Sequence, residues 1–278
     1  MPTFTTPGPI KVTLEVAGAQ VRVNASDRAD TVVLIEPVDA ASRKDVKVAE
    51  KTTVDFFGGQ LTVTTKTAGD RSGSVAITID VPAGSGLDVS MAHSSVRTDG
   101  PLGECELNLA SGRIQLDRID ALRASLAAGE VEVGHIAGRA NISGAGAAVR
   151  IGEVEGAVKL VGSSGPVWIG AASADLDLTN SNGGFDIGRA DGSVTAMTGG
   201  NGVIRIGRMA RGHAELVNAS GDIEVGVGQG TAVRVEADSK YGSVRNSVPP
   251  RDEPAAADLL TVHARTRRGD IVVQPAAG

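Results

Sequence analysis

Hydrophobic and polar residues alternate along this chain, and the alternating stretches return at a nearly constant interval. Aligned on the first apolar residue of each stretch, the anchors are Val96, Ile114, Val131, Val149, Val167, Phe185, Ile204 and Ile223. Their spacings are 18, 17, 18, 18, 18, 19 and 19 residues, and degenerate copies follow at Val244 and Ile271. Alternation with a period of two is the mark of a strand whose two faces meet different surroundings. Glycines bound most copies, as in Gly129-Glu130-Val131-Glu132-Val133-Gly134 and Gly202-Val203-Ile204-Arg205-Ile206-Gly207, where they supply turn conformations. Self-similarity at a period near twenty residues indicates a stacked repeat.

Two further apolar points accompany each anchor. Seven residues before it stand Leu107, Ala124, Ile142, Leu160, Leu178, Met197 and Leu216; five after it stand Ile119, Ile136, Val154, Ala172, Ala190 and Met209. Each lap of about eighteen residues therefore turns about three apolar clusters toward a common axis. The pattern predicts an all-β fold, a parallel β-solenoid whose successive coils pair about 4.8 Å apart. A single coil cannot bury its own apolar face, but stacked neighbours can.

The residues just after the anchors test this register. They read Arg97, Gln115, Glu132, Arg150, Trp168, Asp186, Arg205, Glu224 and Arg245. In-register stacking makes them one outward column, with Glu132 beside Arg150 and Asp186, Arg205, Glu224 and Arg245 alternating in sign. A second column sets Glu106 beside Arg123 and Lys159 beside Asp177. Opposite charges on paired strands contribute roughly 0.2–1 kcal/mol, and like charges oppose pairing. The columns read foremost as register control.

Residues 1–90 alternate too but do not keep the beat. Strand-like runs cover Lys11–Val16, Val21–Asn24, Thr31–Ile35, Thr53–Phe57, Leu61–Lys66, Ser74–Val81 and Leu87–Val89. Turn signals lie at Asp27–Asp30, Asp70–Gly73 and Pro82–Gly86, and Ala40–Glu50 reads as a polar connector with room for a short helical turn. This predicts an N-terminal β region over 1–90 that caps or leads into the solenoid, and solenoid repeats over 91–278. The stretch 247–258, with Val248-Pro249-Pro250 and Pro254, reads as a Pro-rich insertion before the last strands, and the proline loop at 248–254 reads as a cover for that end.

Composition narrows the function classes. Aromatics make up only 2% of the 278 residues, so the core must be aliphatic. A net charge of −6 disfavours nucleic acid, whose phosphates call for a basic face. A single cysteine, Cys105, excludes an internal disulfide framework. No apolar run approaches the ~18–20 residues of a membrane helix, and the N-terminus lacks a basic leader pattern. The expectation is a cytoplasmic protein without membrane insertion.

Several segments together resemble a known family. They are Met1-Pro2-Thr3-Phe4 with Pro7, the run from Ala25 to Val33, the segment from Leu102 to Asp117, and Val262-His263-Ala264-Arg265-Thr266 with Gly269-Asp270-Ile271. In these the chain is similar to the actinobacterial β-strand-repeat proteins of domain of unknown function 4097, provisionally labelled adhesins. The resemblance covers nearly the whole chain. It implies an all-β, right-handed solenoid and carries over no catalytic residue.

Candidate chemistry is sparse. His93, His135, His213 and His263 show no metal-ligand spacing, and His135 and His213 read as turn residues beside glycines. Asp175 and Asp177 alternate on one strand, as Glu130 and Glu132 do. Glycosidase chemistry needs two carboxyls at ~5–10 Å with one held protonated, whereas facing Arg or Lys would favour ionisation. Gly183-Gly184-Phe185-Asp186-Ile187 faintly echoes calcium-binding repeats, but its aspartate does not recur. No cofactor or metal is expected. Trp168 stands out in a column that is mainly charged, positioned to anchor a partner or to stack on Arg150. Trp168, Arg150 and Asp186 are thus the candidate partner contacts. The expected function is a non-enzymatic scaffold or interaction protein, adhesin-like, that takes a protein partner or self-associates. The alternatives are a self-assembling structural protein resembling bactofilins and a carbohydrate-active β-helix enzyme.

Overall fold

The computed structural model describes residues 1–65, 73–144, 146–249 and 259–277. Two compact units divide the chain, Met1–Ala137 and Gly138–Gly278. Both are built of parallel strands winding round an axis, and the first adds antiparallel strands and one helix.

In the second unit the anchors stack as their spacing predicts. Val149 lies opposite Val167, Val167 opposite Phe185, Phe185 opposite Ile204, and Ile204 opposite Ile223. Each is at most 3% exposed. A second buried file runs Val154, Ala172, Ala190, Met209. The third runs Ile142, Leu160, Leu178, Ala196, Leu216. Met197, expected in that file, faces outward beside Thr179 and Val217. The end of Val194–Asn201 holds one residue more than its neighbours, where the ladder shifts register between Thr198 and Asn201. Counting back seven from Ile204 therefore lands one residue late.

Glycines make this stacking possible at the corner within each anchor strand. A Cβ at Gly207 would lie 2.7 Å from the carbonyl oxygen of Gly188, one coil away. Gly188 is crowded in the same way by Gly170, and Gly170 by Gly152. Beside another corner runs a polar file, Asn180, Thr198, Asn218 and Thr266, all buried, and then half-buried Ser239. Each member donates to a glycine carbonyl: Asn180 to Gly165 at 3.1 Å, Thr198 to Gly183 at 3.0 Å, Asn218 to Gly202 at 2.7 Å, Thr266 to Gly221 at 3.0 Å and Ser239 to Gly269 at 2.7 Å. Buried corner carbonyls, which cost free energy when unpaired, are satisfied in this way.

Stack order departs from chain order at the C-terminal side. Gly212–Ser220 pairs with Leu259–Arg268, not with its counterpart in the next coil along the chain, Ala232–Tyr241. Leu259–Arg268 pairs along its other edge with Ala232–Tyr241. Ile271–Pro275 likewise lies between Ile223–Val227 and Val244–Asn246. The last coil is therefore inserted between two coils that follow each other in sequence. Its interior residues Leu260, Val262, Ala264, Ile271 and Val273 are all fully buried, while Val244 of the outer coil is 46% exposed. The more apolar coil takes the position covered on both sides. Arg245, expected beside Glu224, is separated from it by Val272.

The first unit repeats the device. Ile114 lies between Val96 and Val131, Ile119 opposite Ile136, and Leu107 opposite Ala124. Lys11–Ala17 is flanked by Gln60–Thr64 and Gly86–Ala92, and Ala19–Ser26 by Val75–Pro82 and Ser94–Asp99. The first coil of the chain thus sits between two later ones. Antiparallel strands finish the edges: Asp30–Pro37 on Val75–Pro82, Thr3–Thr5 on Asp30–Pro37, and Thr53–Phe57 on Gln60–Thr64. The tight hairpin at Gly58-Gly59 has positive φ at both glycines, 59° and 78°, as a twisted two-residue turn demands. The connector read as room for a helical turn is a helix, Arg43–Lys51. It is started by Ser42, whose hydroxyl accepts the Asp45 N–H. Its one buried residue is Val48. Lys66, Asp70 and the prolines Pro250 and Pro254 lie outside the described residues.

Candidate partner-contact surface

Trp168 is turned outward by its own strand. Val167 and Ile169 on Val167–Ala172 point into the core, which leaves the intervening indole on the outer face, half-buried. The parallel register sets Arg150 beside it on one coil and Asp186 beside it on the next, followed by Arg205 and Glu224. All three candidate contacts thus share one column. The Arg150 guanidinium carbon sits 4.8 Å from the indole centroid. Such a cation–π pair contributes about 0.5–1 kcal/mol at an exposed site. The indole edge lies over Gly170, where a Cβ would be 2.9 Å from it. The same corner glycine that lets the coils stack also lets the ring lie down on the surface.

Further along the column, Arg205 reaches Glu224 at 3.7 Å, with both side chains well exposed. Arg205 and Glu224 border a shallow cleft of about 230 Å³ whose wall includes Gly188, Gly207, Arg208 and Pro275. The surface therefore offers an aromatic plate, a fixed guanidinium, an exposed carboxylate at Asp186 and an adjoining cleft.

The other candidates are placed as follows. Asp175 accepts the Ser193 N–H at 2.8 Å, joining one coil to the next, and Asp177 meets Lys159 at 3.8 Å. Glu106 lies opposite Arg123 in register, though Arg123 bonds Glu104, at 3.7 Å. His135 and His213 lie in strands rather than turns. The fold brings His213 edge-on to His263, at 4.9 Å between centroids, and His263 to Glu236 at 3.4 Å. Sequence spacing concealed this pairing, because the insertion of the last coil creates it. Among the described residues, no group of three or more His, Cys, Asp or Glu side chains is arranged to hold a metal ion. Cys105 is fully buried, and burial pushes its thiol up to about 12. Among the described residues no helix is long and apolar enough to cross a membrane.

The model of the Toastrack DUF4097 family matches residues 10–273. This chain belongs to that family. No curated protein matches it. Among solved structures, this Toastrack DUF4097 chain is similar to a Parabacteroides merdae protein provisionally described as an adhesin. The identity is 10%, with 97% of this chain and 94% of the other covered and a TM-score of 0.38. A Bacteroides fragilis protein with the same description shows 13% identity, coverage of 98% and 95%, and a TM-score of 0.33. A Clostridium sporogenes protein, provisionally described as a cell adhesion protein, shows 11% identity, coverage of 99% and 98%, and a TM-score of 0.24.

Proposed function

We propose that this Toastrack DUF4097 protein is a non-enzymatic interaction scaffold that engages a protein partner through the column centred on Trp168. One observation carries the reading. The single tryptophan of the chain lies on the outer face of a rigid sheet, held flat by Gly170 and Arg150, with Asp186 free to add direction. A large ring presented with its orientation already fixed loses little entropy on binding, and tryptophan is enriched where binding energy concentrates.

The test is capture of partners from the native cell with the wild-type protein and with Trp168→Ala, Arg150→Ala and Asp186→Ala. A specific partner should bind wild type and weaken at least about 30-fold with Trp168→Ala, the loss expected of a hot-spot residue. The variant should keep the wild-type circular dichroism spectrum. Equal binding by Trp168→Ala would refute the assignment. So would polysaccharide turnover that disappears in Asp175→Ala or Asp177→Ala.

A further inference from the structure

The slot filled by the last coil has an unusual construction. Its two walls, Gly212–Val227 and Ala232–Asn246, are joined to each other by the short turn between Val227 and Ala232. The occupant, Leu259–Pro275, is joined to them only through residues 247–258, twelve positions in the sequence. The walls are thus close in sequence, whereas twelve residues separate the filling from them. Fully extended, twelve residues reach about 40 Å.

Recognition inside the slot is detailed. Leu260, Val262, Ala264, Ile271 and Val273 are fully buried between the walls. Thr266 donates to the Gly221 carbonyl at 3.0 Å. The Asp222 carboxylate accepts the Asp270 N–H at 2.8 Å, and the Asp270 carboxylate accepts the Ser243 N–H at 2.8 Å. One wall, the filling and the other wall are therefore bonded in series. Each of these contacts is the same whether the filling comes from its own chain or from an identical one.

We propose that this slot is an exchange site, occupied by the C-terminal coil of a second copy to give a strand-exchanged dimer. The occupant must carry the apolar alternation together with Thr266, Gly269 and Asp270, and a second copy does so by construction. The monomer is favoured only by the covalent connection, which gives an intramolecular coil an effective concentration that an intermolecular one matches only at high protein concentration. Exchange therefore appears when the coil is released at high protein concentration. The proposal rests on the C-terminal topology and is independent of the Trp168 surface.

The full chain, labelled in two colours, is unfolded as a mixture and refolded over a concentration series. The expected product has doubled mass and energy transfer between colours, and its share rises with concentration. It is absent from protein held at the same concentration without unfolding. Amide exchange should protect 259–275 in the dimer as in the monomer, with 232–246 unchanged. A labelled peptide of residues 259–275 added during refolding should be captured and should suppress the dimer, whereas the same peptide with Val262→Asp should not be captured. Should refolding give aggregates, long incubation of the two native populations with the peptide just below melting supplies the same readouts. Monomer alone at every concentration with no peptide captured overturns the proposal. So does a dimer in which 232–246 gains protection, because that pattern means edge docking without exchange.

Discussion

Gly207 shows how little freedom a single position has in this fold. A methyl group there meets the Gly188 carbonyl of the neighbouring coil at 2.7 Å, and that obstacle is backbone. Gly207→Ala should destabilise by about 1–3 kcal/mol, the usual cost of overpacking, read as a lowered denaturation midpoint in urea. An unchanged midpoint would mean the corner is looser than described. Asp45 makes a second point. Its carboxylate accepts the N–H groups of Ser74 and Asp39 and bonds the Ser42 hydroxyl. The Ser74 bond, as the largest cause, holds the Asp45 carboxyl below the usual carboxylate range. A carboxyl held low in the folded state stabilises above its ordinary range and loses that contribution as pH falls through it. Amide protection of 43–51 should therefore drop as pH falls below the ordinary aspartate range of about 4 in wild type, and Asp45→Asn should show a flatter profile. Identical profiles would contradict this role. The bounding glycines were legible as turns, but their crowding was not, because it arises from contact with another coil. The Asn180–Ser239 polar file had a sequence signal: a polar residue recurs two positions after the inward Leu178, Ala196, Leu216, Ala264 and Ala237.

Strand elements were the most legible level, since alternation and spacing speak directly about them. The anchors fall into files, and strands such as Thr53–Phe57 have the bounds their pattern predicts. Ile187 tests the files: it is fully buried between Ile169 and Ile206. Ile187→Asp should cost several kcal/mol, because it places a charge where no partner exists. Wild-type-like melting would mean that the side chain does not point inward. Met197 shows the limit of counting, since one extra residue at a register shift exchanges the faces of a strand. Helix Arg43–Lys51 was only partly legible. Its composition is polar and its anchorage is one valine and a cap, so hydrophobic periodicity had little to report.

For the molecule as a whole, the order of coils is the property that sequence hid. Chain order suggests stacking in the sequence 212–227, 232–246, 259–275. The structure instead inserts the last coil, and likewise places Lys11–Ser26 between 60–82 and 86–99. Repeats of similar pattern are nearly interchangeable as neighbours, so periodicity cannot rank one stacking order over another. What decides is which coil gains most from being covered on both faces, and the terminal coils hold the apolar residues for it. The candidate surface was legible because it needs only the register of coils 150, 168 and 186, which follow one another in both sequence and stack. The histidine pair was not, because it exists only through the insertion.

Paired cysteines oxidised in the native protein read the coil order most directly. Glu215 lies opposite His263, and His263 opposite Glu236, so the pairs 215/263 and 263/236 should each form an intramolecular disulfide. Buried Cys105 stays silent in the folded state. The pair 215/236 should not cross-link, because two coils span about 10 Å and disulfides rarely bridge Cα atoms more than 7 Å apart. Efficient cross-linking of 215/236, with failure of 215/263, would show that the coils stack in simple chain order and would contradict the account.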